Sequence, residues 1–272
     1  MRTRDRFLGL ATALTLAMAL PPLLELLRTT RTSEYYSHIV LIPAVSAYLI
    51  FRRRREMFRG TASVHPWGIA GLVAGAGLFI AAYVLGGPLD VRASLATLGG
   101  LLFWSGAYLI LYGKNGSGRA AFPIAFLAFA VPIPVAVMNE IIAVLVAGST
   151  YMTRLLFTAF RVPFVQEGAF FRLPGFNIEV AQECSGIRSS LALLVTTVLA
   201  GQLFLKKPAN RVLLALSVFP VALFKNAVRI VVLYLLSYFI DIRIIERGFL
   251  HRSGGFIFFG LMNVDGDPYV IE

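Results

Sequence analysis

Long apolar runs separated by short polar clusters dominate the pattern of this 272-residue chain. A helix needs about 20 apolar residues to cross a hydrocarbon core roughly 30 Å thick, and eight runs approach or exceed that length. The runs cover residues 7–27, 36–51, 67–85, 94–112, 121–138, 141–160, 187–205 and 212–239. The pattern therefore predicts an all-α polytopic membrane protein with about seven to eight hydrophobic helices.

The chain has a net charge of +11, and its basic residues lie at the ends of these runs. They form no basic stripe with stacking aromatic residues, so we expect no nucleic-acid partner. Lys and Arg concentrate in cytoplasmic loops, which predicts an inner-membrane protein whose cytoplasmic side carries the densest clusters. These cations are Arg2, Arg4, Arg6, Arg52, Arg53, Arg54, Arg55, Arg59, Lys114, Arg119, Lys206, Lys207 and Arg211.

This orientation constrains the middle of the chain. If both the fifth and the sixth apolar run crossed the bilayer, Lys206 and Lys207 would lie on the outer side. We therefore expect residues 139–160 to lie along the outer interface. Residues 162–183 then form an outer loop, whose turn formers and short alternating runs predict a small hairpin.

The single cysteine, Cys184, follows this outer loop and lies just before the seventh run, in the sequence Glu-Cys-Ser-Gly-Ile-Arg. The positive end of a helix dipole, with Arg188 one turn later, favours a reactive thiolate. Gly186 permits the close approach of a substrate backbone. The alternative is that Cys184 is a small buried hydrophobic residue, which is the commoner role of a lone cysteine in a membrane helix.

Charged residues also interrupt the eighth run, at Lys225 and Arg229. Charges inside a membrane are costly and indicate a functional site, although pairing with an acid or extension to the interface is the structural alternative. Asn226 lies three residues before Arg229, so both are expected to face Cys184. His251 is also assigned to the outer side, where His38 competes for any histidine role; His65 is assigned to the cytoplasm.

An ordered set of boxes in this chain resembles the exosortase and archaeosortase family of membrane cysteine transpeptidases. The resemblance covers roughly residues 121–255, and the first 120 residues fit by hydropathy alone. We accordingly expect N-terminal transmembrane helices over residues 1–120 and a catalytic core over residues 121–272, within one membrane domain. The boxes are Val131-Pro132-Ile133-Pro134, Val162-Pro163, Glu167-Gly168, Leu173-Pro174-Gly175, Cys184-Ser185-Gly186, Asn226 with Arg229, and His251 with Gly255.

The resemblance implies catalytic roles for Cys184, Arg229 and His251, with Arg188, Asn226 and Ser185 as secondary candidates. Cys184 would be the nucleophile and form a thioester. Arg229 and His251 would divide oxyanion stabilisation and proton transfer between them. No cofactor and no metal is implied.

The implied substrates are exported proteins with a C-terminal Pro-Glu-Pro motif, a membrane helix and a basic tail. Exopolysaccharide-synthesis machinery is a further implied partner, besides the lipid bilayer. The chain departs from the family after His251, because the apolar stretch of residues 253–262 is too short for a spanning helix.

Two other functions are compatible with the residues. A transporter or channel component would use Lys225, Arg229 and Glu140 to line a polar path, with a structural Cys184. A non-catalytic scaffold of envelope polysaccharide assembly would bind partners through the outer loop. Neither needs the thiol.

Overall fold

The computed structural model describes residues 3–29, 39–58, 66–174, 176–180 and 187–239. Within these ranges the chain forms seven α-helices and one three-stranded antiparallel sheet. The helices are α1 (Thr3–Thr29), α2 (Leu41–Met57), α3 (Pro66–Val84), α4 (Leu89–Phe126), α5 (Val135–Ala159), α6 (Ile187–Phe204) and α7 (Pro208–Phe239), and the strands are β1 (Val165–Glu167), β2 (Phe170–Leu173) and β3 (Phe176–Glu179).

Five stretches of helix are long and apolar enough to cross a membrane, which confirms the predicted all-α polytopic class. These stretches are Thr3–Thr29, Pro66–Val84, Leu89–Gly113, Val135–Ala159 and Pro208–Leu236. Contacts divide the chain into two compact units, Met1–Asn139 and Glu140–Glu272. The predicted division into functional regions at residue 120 stays a prediction.

In the first unit, α1 and α3 run antiparallel to α4 in close contact. The Tyr112 hydroxyl on α4 donates to the Asp5 carboxylate on α1 at 2.7 Å. A Cβ atom added at Gly75 of α3 would lie 2.4 Å from the backbone nitrogen of Phe103 on α4. The two helices therefore touch through their backbones, which only glycine permits here.

The helix α4 breaks at Gly113, whose positive φ of 64° lies in the left-handed region that favours glycine. After this break the chain runs back along the first part of α4, through the short helix Ala120–Ala130 and an extended segment. At the end of the return the Ser94 hydroxyl lies 2.6 Å from the Pro132 carbonyl, and the Asp90 carboxylate accepts the Val135 N–H at 2.7 Å. The predicted fifth run thus returns across the unit as a broken helix.

In the second unit, α5 packs along α7 in the same direction. Gly148 of α5 meets Leu223 of α7, and the rings of Phe157 and Tyr234 lie 5.5 Å apart nine residues farther along α5. Because α5 is also long and apolar enough to cross a membrane, its length gives no support to the predicted interfacial placement. That placement stays a prediction.

The sheet forms the predicted hairpin and adds a third strand. β2 pairs with both neighbours, with Val165 opposite Arg172 and Phe170 opposite Glu179. Exposed and buried residues alternate along β2, so Phe171 is buried against Phe157 on one face of the sheet. A cluster of Phe157, Phe171, Leu173, Val180, Ile230, Val231 and Tyr234 then holds the sheet onto α5 and α7.

Candidate active site

The helices α6 and α7 form an antiparallel hairpin that is closed by a short turn. Arg211 of α7 fastens this turn, since Nε donates to the Leu205 carbonyl at 2.8 Å and Nη1 donates to Gln202 Oε1 at 2.7 Å. A Cβ atom added at Gly201 would lie 3.6 Å from Leu214 Cδ2. The two helices are therefore in van der Waals contact at this end.

At the other end of the hairpin, Lys225 of α7 contacts the first turn of α6. Its Nζ donates to Ser189 Oγ at 2.6 Å. Relative to the contact between Gly201 and Leu214, this bond lies twelve residues earlier in α6 and eleven residues later in α7. The register is that of regular antiparallel packing, so α6 begins beside the second half of α7.

Arg229 follows Lys225 by one helical turn and lies on the same side of α7. Its side chain is half-buried. In antiparallel helices, four residues forward on α7 correspond to four residues backward on α6. Arg229 is thus level with the point where the chain enters α6, just before Ile187.

Asn226 makes a contact that the sequence does not predict. Its side chain is 2% exposed, and Nδ2 donates to Ser149 Oγ of α5 at 3.0 Å. Ser149 is fully buried. Asn226 therefore joins α7 to α5, whereas Lys225 points to α6, because neighbouring positions on a helix face different partners.

The predicted site residues fall partly outside the described structure. Cys184, Ser185 and His251 lie outside the described residues, and for Arg188 only the backbone, in the first turn of α6, is described. Arg229 and Asn226 are described, and the structure adds three polar residues near them: Lys225, Ser189 and Ser149. Lys225 has a sequence signal as a charge within an apolar run. The two serines have none, because serine in a helix commonly bonds to its own backbone.

A separate cavity of about 510 Å³ lies between α5 and the turn that joins β1 to β2. Its polar lining residues are Thr150, Tyr151, Arg154 and Gln166. Within the described ranges, no three His, Cys, Asp or Glu side chains come together to hold a metal ion.

Comparison with known proteins identifies the family. The family model described as transmembrane exosortase matches residues 29–264, a span that contains Cys184, Arg229 and His251. No curated protein and no solved structure matches the chain. The family match supports, in general terms, a role as a membrane transpeptidase. By this match over most of its length, the chain belongs to the transmembrane exosortase family.

Proposed function

We propose that this protein is a membrane cysteine transpeptidase in which Cys184 attacks the C-terminal sorting signals of exported proteins. The observation that carries the proposal is the bond from Lys225 to Ser189. It brings the helix with the Asn226 and Arg229 box beside the start of the helix that Cys184 precedes. This contact supports the proposal that two boxes distant in sequence act in one site.

Chain length limits how far Cys184 can be from Arg229. Two residues, Ser185 and Gly186, separate Cys184 from Ile187, so the Cα atoms of Cys184 and Ile187 are at most about 11 Å apart when the chain is fully extended. Arg229 is level with the entry to α6, so its guanidinium is a suitable partner for the thiolate or for an oxyanion nearby. The positive end of α6 favours the thiolate further.

The proposed chemistry has two steps. In the first, the Cys184 thiolate bonds to the carbonyl carbon of the scissile peptide, and Arg229 stabilises the oxyanion that forms. The C–N bond then breaks, and the leaving amine takes a proton from His251. In the second step, neutral His251 accepts a proton from the acceptor nucleophile, which attacks the thioester and releases the thiolate.

The proposed substrates carry a Pro-Glu-Pro-type motif followed by a membrane helix and a basic tail. A substrate with that tail is held at the inner membrane with its motif outside, so we place the active site at the outer face. The proposed partners are these exported proteins and exopolysaccharide-synthesis machinery. The basic tail would stay on the cytoplasmic side for the same reason that the enzyme's own Lys and Arg clusters do.

The test is processing of a co-expressed substrate with a Pro-Glu-Pro tail. We expect Cys184→Ala and Cys184→Ser to accumulate as full-length protein while the substrate stays unprocessed. Ser217→Ala is the matched control, because Ser217 is exposed on α7 and bonds to its own helix. Processing by the Cys184→Ala protein would refute the nucleophile assignment and would leave a transporter or a scaffold, neither of which uses the thiol.

A further inference from the structure

Lys225 is a charged residue within α7, and the structure gives it a hydrogen-bond partner. It lies in a helix long and apolar enough to cross a membrane, and its side chain is half-buried. Its hydrogen-bond partner in the described part of the chain is the neutral Ser189 hydroxyl, not a carboxylate. A cation kept within a membrane helix without an anionic partner indicates a function.

The position of Arg229 makes this arrangement more costly. Like charges four residues apart on one helix face destabilise the helix by repulsion. Two cations nonetheless lie one turn apart on the same side of α7, and the first of them contacts the start of α6. An anion formed between them and the start of α6 would offset the repulsion of both.

We propose that Lys225 is a positioning residue for the Cys184 thiolate, an inference that rests on the proposed function. Its bond to Ser189 fixes the first turn of α6, five residues after Cys184. Its charge adds to that of Arg229 in favouring the thiolate over the thiol. The Lys225 side chain touches neither substrate nor reacting atoms in this scheme.

Other charged groups contribute to the same field and must be kept constant. They are Arg229 on α7, within the described residues, and the proposed partners Arg188 and His251, whose side chains lie outside the described part of the chain. From α5, the residue bonded to α7 is the neutral Ser149. A change at Lys225 alone therefore reports its own charge and bond.

The test uses the fact that the chain has one cysteine, so alkylation of the purified protein reports Cys184 alone. The alkylation rate is measured against pH, and its midpoint gives the pKa of the thiol. We expect Lys225→Met to raise that pKa by about one pH unit, because removal of a nearby cation disfavours the thiolate. Lys225→Arg should restore most of the shift.

Two further variants separate charge from position. Ser189→Ala keeps the cation and removes the bond, so substrate processing should fall about tenfold while the pKa of the thiol shifts less than in Lys225→Met. Arg211→Met is the matched control, since it removes a cation and its bonds at the opposite end of the same hairpin. It should leave the alkylation profile unchanged.

The outcomes distinguish this inference from the proposed function. If Lys225→Met and Ser189→Ala fold and both give the wild-type profile and wild-type processing, Lys225 has no positioning role, even though Cys184→Ala is inactive. If Lys225→Met does not fold, the Ser189→Ala and Lys225→Arg results decide. Processing by Cys184→Ala refutes the proposed function itself, and the inference with it.

Discussion

The bond between Asn226 and Ser149 makes a quantitative prediction about how α5 and α7 are held together. Both side chains are almost fully buried, at 2% and 0% exposure, and their polar atoms lie 3.0 Å apart. Hydrogen bonds between membrane helices contribute on average about 0.6 kcal/mol and at most about 1.7 kcal/mol. Because water reaches neither partner, we expect a coupling energy in the upper part of this range, about 1–1.5 kcal/mol.

A double-mutant cycle measures that coupling. Asn226→Ala and Ser149→Ala each lower the free energy of unfolding, since each leaves a buried polar partner unsatisfied. The double variant should lose about 1–1.5 kcal/mol less than the sum of the single variants, which is about five- to twelvefold in the equilibrium constant. Unfolding is measured from the loss of the helical circular dichroism signal as SDS is added to the protein in mixed micelles. Ser217→Ala serves as a surface control.

The result that would refute this reasoning is a coupling energy below about 0.3 kcal/mol, the usual error of additivity. In that case the bond would not stabilise the contact between α5 and α7. The cycle has a functional counterpart, because Asn226 is three residues before Arg229. Asn226→Ala should lower substrate processing by loosening the position of that guanidinium.

Three further predictions concern packing and topology. In a thermal unfolding assay, Gly75→Ala should lower the free energy of unfolding by about 1–3 kcal/mol, because the new Cβ meets the backbone of α4. Gly77→Ala, which has open space around it, should raise that free energy by about 0.5–1 kcal/mol. Equal effects of the two substitutions would contradict the close contact. In the same assay, Phe157→Ala should lower the free energy of unfolding by about 3–5 kcal/mol, because Phe157 is fully buried. Phe160→Ala should lower it by less than about 0.5 kcal/mol, because Phe160 is 62% exposed. A similar loss in both variants would exclude the described core. An impermeant thiol reagent should label Cys184 in intact spheroplasts, and labelling only after permeabilisation would place the thiol on the cytoplasmic side.

Hydropathy predicted most helices well, because the bilayer imposes one length and one polarity on every crossing. Hydropathy did not predict the points at which a local backbone feature ends a helix. The fifth run looks like one segment, but a short helix ends at Ala130, and the segment with Pro132 and Pro134 separates it from the start of α5 at Val135. Composition alone does not contain that division, since both parts are equally apolar.

The candidate site was predictable in its boxes but not in its contacts. Cys184, Arg229 and His251 carry recognisable chemistry, and Asn226 was expected to face the thiol with Arg229. In the structure Asn226 bonds to Ser149, and its spacing of three residues leaves it about 60° from Arg229 around the helix. That Asn226 also faces the thiol stays a prediction. The bonds of Ser149 and Ser189 depend on tertiary packing, which no local pattern of the sequence reports.

The parallel packing of α5 and α7 also has a consequence for the order of events during synthesis. Ser149 lies 77 residues before Asn226, which at about 5–20 residues per second corresponds to a delay of roughly 4–15 seconds. During that interval α5 has left the ribosome while the amide that satisfies its serine has yet to be made. Until α7 is inserted, the Ser149 hydroxyl therefore has to form its hydrogen bond with water or with the backbone of its own helix.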